Sequence, residues 1–294
     1  MVKNPLKILL GCVNIFLYAV LTFFFAILIL LGGLVVWVIP TQSWRYHTTR
    51  LILKLPVLWT STLSFIMRMN SRHKIHFIGD PQLFSTKKWY ILVANHVSWL
   101  DILILGYTFN HKIPIIKFFM KKELLWSLPI AGVSCWILGY PFMSKHSRKA
   151  IRKNPKLKRA DIESAKKACE KFMKYPTTVM NFVEGSRFTN AKRERQGSPF
   201  KHLLKPSAGG VAIVLNELKD YISGIVNVTL QYDPHATMSF WKFACNDFKA
   251  VYVYYDLIPI TPNMMGDYYK DRQYRKDFQR WLNNLWQQKE IFLD

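Results

Sequence analysis

The N-terminal part of the chain contains a long apolar segment that limits what the whole chain can fold into. From Ile8 to Trp44 there is no Asp, Glu, Lys, Arg or His. About 20 helical residues cross the hydrocarbon core of a bilayer, so this segment is long enough to be a membrane element. It is too long for the apolar centre of a signal peptide, and no small-x-small cleavage site follows it. We therefore predict an N-terminal membrane-embedded helical element.

The flanks of this segment leave its path through the membrane open. Lysines precede it and basic residues follow it from Arg45 onward, so the charge distribution does not fix an inside and an outside. One arrangement is a single tilted span. The other is a re-entrant helical hairpin that breaks near Gly32-Gly33 or at Pro40. Residues 41–70 mix basic, aromatic and leucine-rich turns, which suits a second helix in the headgroup region.

The charge of the chain indicates the chemistry of its partners. Lys and Arg total 41 against 18 Asp and Glu, a formal net charge of +23. Such an excess favours nucleic acid, an anionic phospholipid surface or phosphorylated small molecules. The apolar segment favours an anionic membrane surface, and without a recognition motif we expect no nucleic-acid partner. The four cysteines form no CxxC pair, which argues against a disulfide framework or a cysteine zinc site.

The remainder of the chain alternates short strand-like runs with helical ones. This alternation predicts an α/β fold, with a mixed sheet flanked by helices. We divide the chain into N-terminal membrane-anchoring helices at 1–72 and an α/β domain at 73–294. The last helix of that domain is amphipathic, and its apolar face either packs on the domain or contacts lipid. The predicted strands are 74–79, 89–94, 113–118, 136–142, 177–183, 222–230 and 249–260, and the predicted helices are 99–109, 122–128, 161–174, 207–218 and 267–288.

A lone carboxylate follows the predicted strand at 89–94. Asp101 is the only side chain between Lys88 and Lys112 that must be charged at neutral pH, and it lies in an apolar run. A buried carboxylate is costly unless it is paired. With His96 in the turn after the strand and Asp101 in the first turn of the next helix, the two side chains can meet. The carboxylate would then fix the imidazole tautomer and leave Nε2 as a general base.

Two other interpretations fit the same residues. Ser98 and Asp101 form an S-x-x-D pattern, in which Asp101 would only cap backbone amides at a helix start. Alternatively, Ser98 could be the nucleophile of a serine hydrolase with His96 and Asp101, but it lacks a Gly-x-Ser-x-Gly elbow. Spacing alone leaves the base and the cap equally open.

A second polar cluster follows the predicted strand at 177–183. The sequence "VMNFVEGSRFTNAKRER" places Glu184 at the strand end, then Gly185, then Arg187 among further basic residues. A glycine permits a sharp turn, and arginine suits a bidentate grip on phosphate. By itself this four-residue pattern is a weak signal, and it is more typical of an ordinary strand-to-loop turn with solvated charges.

The two clusters together resemble a known family. "NHVSWLD" followed by "NFVEGSRFT" is similar to the N-H-x4-D and E-G-T-R motifs of the glycerophospholipid acyltransferases, which include the 1-acylglycerol-3-phosphate acyltransferases. Similarity extends through "KKELLWSLPIAG", "YPFMSKHS" and "SPFKHLLKPSAGG", over roughly residues 75–260. These segments look most like the branch that contains lysocardiolipin acyltransferases and bacterial inner-membrane acyltransferases.

The resemblance implies a role for each matching residue. His96 is implied as the general base, oriented by Asp101. Glu184, Gly185 and Arg187 are implied to form the site of the acyl acceptor, with Arg187 on its phosphate.

The sequence departs from the family pattern in three places. Ser186 replaces the usual Thr of the E-G-T-R motif and keeps the hydroxyl. Lys145 stands where the family's F-I-x-R block has Arg, which keeps the charge and loses the planar fork. The later proline motif reads Ile-Val-Asn-Val at 225–228, without proline. Lys121 matches a basic position before the "EL" pair, and we expect it also to face phosphate.

The implied function is transfer of a fatty acyl group from an acyl thioester to the free hydroxyl of a lysophospholipid. Lysophosphatidic acid is the expected acceptor, and lysophosphatidylglycerol or lysocardiolipin is the alternative. The donor co-substrate is acyl-CoA or acyl carrier protein, and no bound cofactor or metal is expected. The expected location is the bacterial inner membrane, with the catalytic domain on its cytoplasmic face; the oligomeric state stays open. From a different class, the chain could be a non-catalytic basic lipid-binding membrane protein.

Overall fold

The computed structural model describes residues 4–127, 129–143, 153–154, 156–233 and 238–294. Its first helix, α1, spans Pro5–Val38 and begins at a capped N-terminus, where the Asn4 side chain accepts the N–H groups of the first turn. Helix α1 continues through Gly32-Gly33 and ends before Pro40, because proline and the residue before it disfavour a continuing helix. Of the two predicted break points, the one at Pro40 is confirmed.

The chain then folds back on α1. Helices α2 (Gln42–Ile52) and α3 (Leu55–Ser71) both pack against it. The α1–α3 pair is antiparallel: Trp59 donates to Thr22 near the middle of α1 at 3.2 Å, and Asn70 donates to Asn14 near its start at 2.8 Å. Both Pro5–Val38 and Gln42–Ser71 are long and apolar enough to cross a membrane by length and composition. The N-terminal element is therefore a helical hairpin with the features of a membrane-associated segment.

A mixed sheet of six strands forms the centre of the remaining chain, as the sequence predicts. Its order is β1-β8-β7-β2-β6-β3, and every neighbouring pair is parallel except β7 and β8. Strands β4 and β5 form a separate two-stranded pair. The strands are β1 Ile75–Ile78, β2 Trp89–Ala94, β3 Ile116–Phe118, β4 Met120–Lys121, β5 Phe142–Met143, β6 Thr178–Phe182, β7 Ile222–Asp233 and β8 Ala250–Ile258.

Helices cover both faces of this sheet. One face packs on α3 and α4, together with Tyr18 from α1. The other face packs on α7, α9 and α11. The helices in the described part of the chain after α3 are α4 Asp101–Phe109, α5 Leu124–Ser127, α6 Pro129–Ile137, α7 Lys156–Glu170, α8 Asn190–Gln196, α9 Gly209–Glu217, α10 Phe240–Ala244 and α11 Arg272–Ile291.

The apolar face of α11 packs on the sheet. Phe278, Leu282, Leu285 and Trp286 are all buried in one core with β2 and α9. Of the two interpretations open from the sequence, packing on the domain is therefore the one that the contacts confirm. The division of the chain at residue 72 stays a prediction, since α1 and α3 contribute side chains to the same core as β2.

One predicted strand is wrong. Residues 136–142 were expected to be extended, but Trp136 and Ile137 form the last turn of α6, and only Phe142 enters a strand. Gly139 has a φ of +77°, and Tyr140 donates its N–H back to the carbonyl of Cys135. This is the way in which a glycine ends a helix. The aromatic and β-branched residues around that glycine resemble a strand in composition only.

Candidate active site

The first functional turn begins where β2 ends. Asn95 continues the β2–β7 pairing with its side chain: it donates to the carbonyl of Leu230 at 2.9 Å and accepts the N–H of the same residue at 2.8 Å. The backbone after Asn95 is thereby free to leave the sheet. His96 emerges at the carboxyl end of parallel strands, which is the edge where α/β sheets usually bind ligands.

His96 and Asp101 form the predicted pair. The Nδ1 atom of His96 lies 2.7 Å from Oδ2 of Asp101, whose side chain is fully buried. Because a carboxylate only accepts, Nδ1 carries the proton and Nε2 presents its lone pair. The imidazole also stacks on the ring of Phe182 at the end of β6, with the two ring centres 3.8 Å apart. Contacts on its edge and its face therefore fix the orientation of this ring.

Asp101 also binds backbone amides of the turn that precedes α4. Its carboxylate accepts the backbone N–H of Val97 at 2.7 Å and that of Ser98 at 3.0 Å. The hydroxyl of Tyr232 donates to its other oxygen at 2.6 Å. Burial and the nearby carboxylate raise the pKa of Tyr232 well above its usual value, so the phenol stays protonated as a donor. The acceptor of backbone amides and the histidine partner, which the sequence left as alternatives, are the same carboxylate.

Ser98 has no place in this pair. Its hydroxyl is buried, donates to the carbonyl of Met238 at 2.6 Å and accepts the N–H of Leu100 at 3.3 Å. It therefore faces away from the imidazole. The serine-hydrolase interpretation does not fit this geometry.

Glu184 lies beneath the turn rather than in the open. It is 6% exposed, and its Oε1 accepts the indole N–H of Trp286 from α11 at 3.2 Å. Burial raises the pKa of Glu184 to about 8, although the Trp286 bond opposes the shift. Gly185 follows with a φ of +71°, a conformation that disfavours any residue with a Cβ, and open space surrounds it. The glycine thus serves the backbone turn.

Arg187 lies at the mouth of the site. Its guanidinium stacks 4.3 Å from the centre of the Trp99 ring, and Trp99 is 65% exposed. The Nζ of Lys192 donates to the carbonyl of Arg187 at 2.8 Å. The N–H of Phe188 donates to the carbonyl of His96 at 2.7 Å. This last bond joins the two predicted motifs into one surface.

The remaining predicted residues are less well placed. Ser186 is partly exposed in the turn between Gly185 and Arg187. Lys121 is the last residue of β4, but its side chain lies outside what the structure describes. Lys145 lies outside the described residues altogether.

Sequence reasoning missed Tyr232, Trp286 and Trp99. The first two lie 131 and 102 residues from the carboxylates that they contact, so no local pattern could have found them. Trp99 stands inside the first motif, two residues before α4, and an aromatic residue at the predicted turn was a signal.

An apolar cavity of about 540 Å³ runs beside α4 on the sheet face that carries Tyr90 and Leu92. Ile102, which follows Asp101 in the chain, is among its lining residues, and the cavity lies between α3, α4 and strands β3 and β6. The side chains of His96, Asp101, Glu184 and Arg187 do not line it. Arg50 and Lys54 contribute cationic side chains to its lining. Its size is within the usual range of ligand pockets.

Among the described residues, one group has metal-ligand spacing. Atoms of His202, Glu290 and Asp294 lie within 4.8 Å of one another. Nζ of Lys201 forms a salt bridge with Asp294 at 3.1 Å, which places a positive charge next to these carboxylates without a metal ion. None of the three residues belongs to the His96 site.

Comparison with known proteins shows what this arrangement is similar to. A sequence model of the family described as Acyltransferase matches residues 74–228. The human 1-acyl-sn-glycerol-3-phosphate acyltransferase delta is 24% identical over 274 residues, an alignment that covers 88% of this chain and 66% of the relative. The mouse protein of the same name is 27% identical over 214 residues, covering 68% of this chain and 52% of its own length. This chain therefore spans less than two thirds of either relative.

The fold is also similar to a solved structure. The 1-acyl-sn-glycerophosphate (LPA) acyltransferase PlsC from Thermotoga maritima superimposes with a TM-score of 0.55 at 15% identity. The match covers 94% of this chain and 93% of the other. At this identity the likeness shows a shared fold.

Proposed function

The chain belongs to the acyltransferase family, and on this premise we propose that it transfers a fatty acyl group from an acyl thioester to a lysophospholipid. The proposed acceptor is lysophosphatidic acid, so that the product is phosphatidic acid. The names of the similar human protein and of the Thermotoga enzyme support this acceptor. The 2.7 Å contact between Asp101 and Nδ1 of His96 carries the proposal, because it leaves Nε2 as a base.

The proposed reaction is a direct transfer. Nε2 of His96 takes the proton of the acceptor hydroxyl as its oxygen attacks the thioester carbonyl. Asp101 stabilises the imidazolium that forms. The carbon–sulfur bond then breaks, the carbonyl re-forms, and the imidazolium returns the proton to the leaving thiolate. The new ester and a free thiol are the products, and no acyl-enzyme is required.

The acceptor phosphate is proposed to bind at the mouth of the site. Arg187 offers a planar fork of N–H donors beside the turn that carries His96, and Trp99 holds the guanidinium in place. Lys145 and Lys121 remain proposed phosphate ligands on the family resemblance alone. Glu184 is proposed to shape the turn from below, since its carboxylate is buried against Trp286.

The acyl chain is proposed to lie in the cavity beside α4. Its lining is mainly apolar, and one lining residue, Ile102, follows Asp101 in the chain. The donor is proposed to be acyl-CoA or acyl carrier protein.

The enzyme is proposed to work on an anionic membrane surface, with its catalytic domain on the cytoplasmic face of the bacterial inner membrane. The two long apolar helical stretches and the net charge of +23 support membrane association.

The test is an acyl-transfer assay with the purified protein and a panel of acceptors. Lysophosphatidic acid, lysophosphatidylglycerol and lysocardiolipin are each supplied with acyl-CoA, and thiol release and the acylated lipid are both measured. His96→Ala is the matched control, and it should bind vesicles but show no turnover above background. Turnover that survives in His96→Ala, or none by the wild type on any acceptor, would refute the proposal. A higher kcat/KM on another lysolipid would reassign the acceptor.

A further inference from the structure

A lysine in the last helix is buried under the catalytic turn. Lys289 of α11 is 1% exposed, and lysines are almost never fully buried unless they are paired. Burial lowers the pKa of Lys289 to about 7, although Glu184 and Asp256 oppose the shift. The position lies outside residues 74–228, over which the family model matches. An ionisable group kept at this cost suggests a role beyond packing.

The contacts of this lysine lie on β7. Its Nζ donates to the carbonyl of Val228 at 2.5 Å and to the hydroxyl of Thr229 at 3.3 Å. It also lies 5.0 Å from the centre of the Trp286 ring, one turn earlier in α11. The ammonium is thus held by two oxygen atoms and an aromatic face.

The sheet register locates these contacts relative to His96. Val228 pairs with Ala94, the last residue of β2, and Leu230 pairs with the Asn95 side chain. Residues two apart on a strand direct their carbonyls to the same side, so the Val228 carbonyl faces β2 at the point where that strand ends. Lys289 therefore binds the backbone that supports the turn of His96.

The preceding turn of α11 contacts the other strand that flanks β2. Trp286 donates to Glu184, which follows β6, and β6 and β7 are the two strands that flank β2. One helix thus contacts both strands beside the catalytic turn through side chains that are buried and polar. A helix that was only docked on the sheet would need no such groups.

We propose that Lys289 is a positioning residue for acyl transfer, which holds the middle of β7 against the end of β2 and so fixes the His96 turn. The inference rests on the proposed function of that turn. A displacement of about 1 Å in a catalytic group can cost 10²-fold in rate without any change in substrate contacts. A structural role alone predicts a loss of stability with kcat near that of the wild type, because removal of Lys289 leaves its buried oxygen partners unsatisfied.

The test is Lys289→Met, with Lys276→Met as its matched control on the exposed face of the same helix. We expect Lys289→Met to keep its cooperative unfolding transition and to lose about 10²-fold in kcat, with both KM values within twofold of wild type. Lys276→Met should match the wild type. A folded Lys289→Met protein with kcat within twofold of the wild type overturns the proposal.

A second measurement reads the geometry directly. The downfield proton on Nδ1 of His96, seen by NMR, should shift or broaden in Lys289→Met and stay unchanged in Lys276→Met. If Lys289→Met does not fold, Thr229→Val removes one partner of the lysine at nearly constant volume and should lower kcat several-fold; wild-type kcat in that variant overturns the proposal. If the wild type itself transfers no acyl group, the proposed function fails, and the His96 resonance alone then decides on Lys289.

Discussion

The substitution Asp101→Asn separates the two tasks of one carboxylate. In the structure Asp101 accepts from Nδ1 of His96, from two backbone amides and from the hydroxyl of Tyr232. Asparagine can turn its carbonyl to the imidazole and the amides and its NH₂ to Tyr232, whose hydroxyl also accepts. Asparagine caps helices about as well as aspartate. We therefore expect the turn to persist and the charge to be lost.

The size of the kinetic effect follows from that charge. In the transition state the imidazolium faces the carboxylate at hydrogen-bond distance. Two unit charges about 4 Å apart at an effective dielectric constant near 20 attract each other by about 4 kcal/mol. At about 1.4 kcal/mol for each factor of ten, removal of this attraction slows transfer by about 10³-fold. The free energy of unfolding should fall by only about 1 kcal/mol, since most hydrogen bonds survive.

The assay compares kcat from thiol release with the unfolding transition of each variant. Asp271→Asn is the matched control, because Asp271 caps α11 through two backbone amides and contacts no catalytic group. It should leave both kcat and stability near wild type. If Asp101→Asn keeps kcat within tenfold of the wild type while losing stability, the carboxylate is only a cap, and the reasoning is refuted.

Three further predictions concern the second motif. Arg187→Ala should raise the acceptor KM by about 10- to 100-fold and leave the donor KM unchanged, because a charged hydrogen bond to phosphate contributes about 1.5–3 kcal/mol. Steady-state kinetics measure both KM values, with the exposed Arg195→Ala as the control. An equal rise in both KM values contradicts the assignment. Glu184→Gln should gain stability relative to the wild type between pH 5 and pH 8, by at least about 1.4 kcal/mol, the value of one pKa unit. The sign follows because the folded pKa of about 8 lies above the unfolded value of 4.5, so ionisation of Glu184 costs stability as pH rises through this window. Denaturant unfolding at both pH values measures the difference in unfolding free energy between the variant and the wild type. A difference that is the same at both pH values speaks against the buried carboxyl. Gly185→Ala should cost about 1–2 kcal/mol of stability from its positive φ alone. Gly197→Ala at the end of α8 should cost the same, but only Gly185→Ala should reduce acyl transfer. Equal activity in the two variants would disprove a role for the Gly185 turn.

The sequence predicts those parts of the fold whose signals are local. The observed bounds of β2 agree with the predicted ones at both ends, and β7 and β8 lie where alternating or continuous apolar runs predict them. The pairing of His96 with Asp101 also follows from spacing, once a strand, a turn and a helix are assigned in order. The prediction of a strand at residues 136–142 was wrong because their composition suits a strand, whereas Gly139 ends a helix.

The rest of the site depends on contacts between distant parts of the chain. Tyr232 and Trp286 reach Asp101 and Glu184 only after β7 and α11 have packed on the sheet. Lys289 would be assigned to solvent from its residue type alone, yet it is buried. Whether Glu184 faces a substrate or the protein interior is likewise decided by the position of α11. No spacing rule contains that information.

The close packing of α1 has a consequence for how the proposed active site would meet a lipid substrate. Gly11 leaves no room for a Cβ beside Cys245, and Asn14 donates to the carbonyl of Ala244 at 2.7 Å. Helix α1 is therefore joined to the catalytic body by direct contact rather than by a flexible tether. With α1 in the bilayer, the height and tilt of His96 above the lipid surface are set once, at folding. Under the proposed function, each encounter with a lysolipid would then be a search in two dimensions, by lateral diffusion and by rotation about the membrane normal.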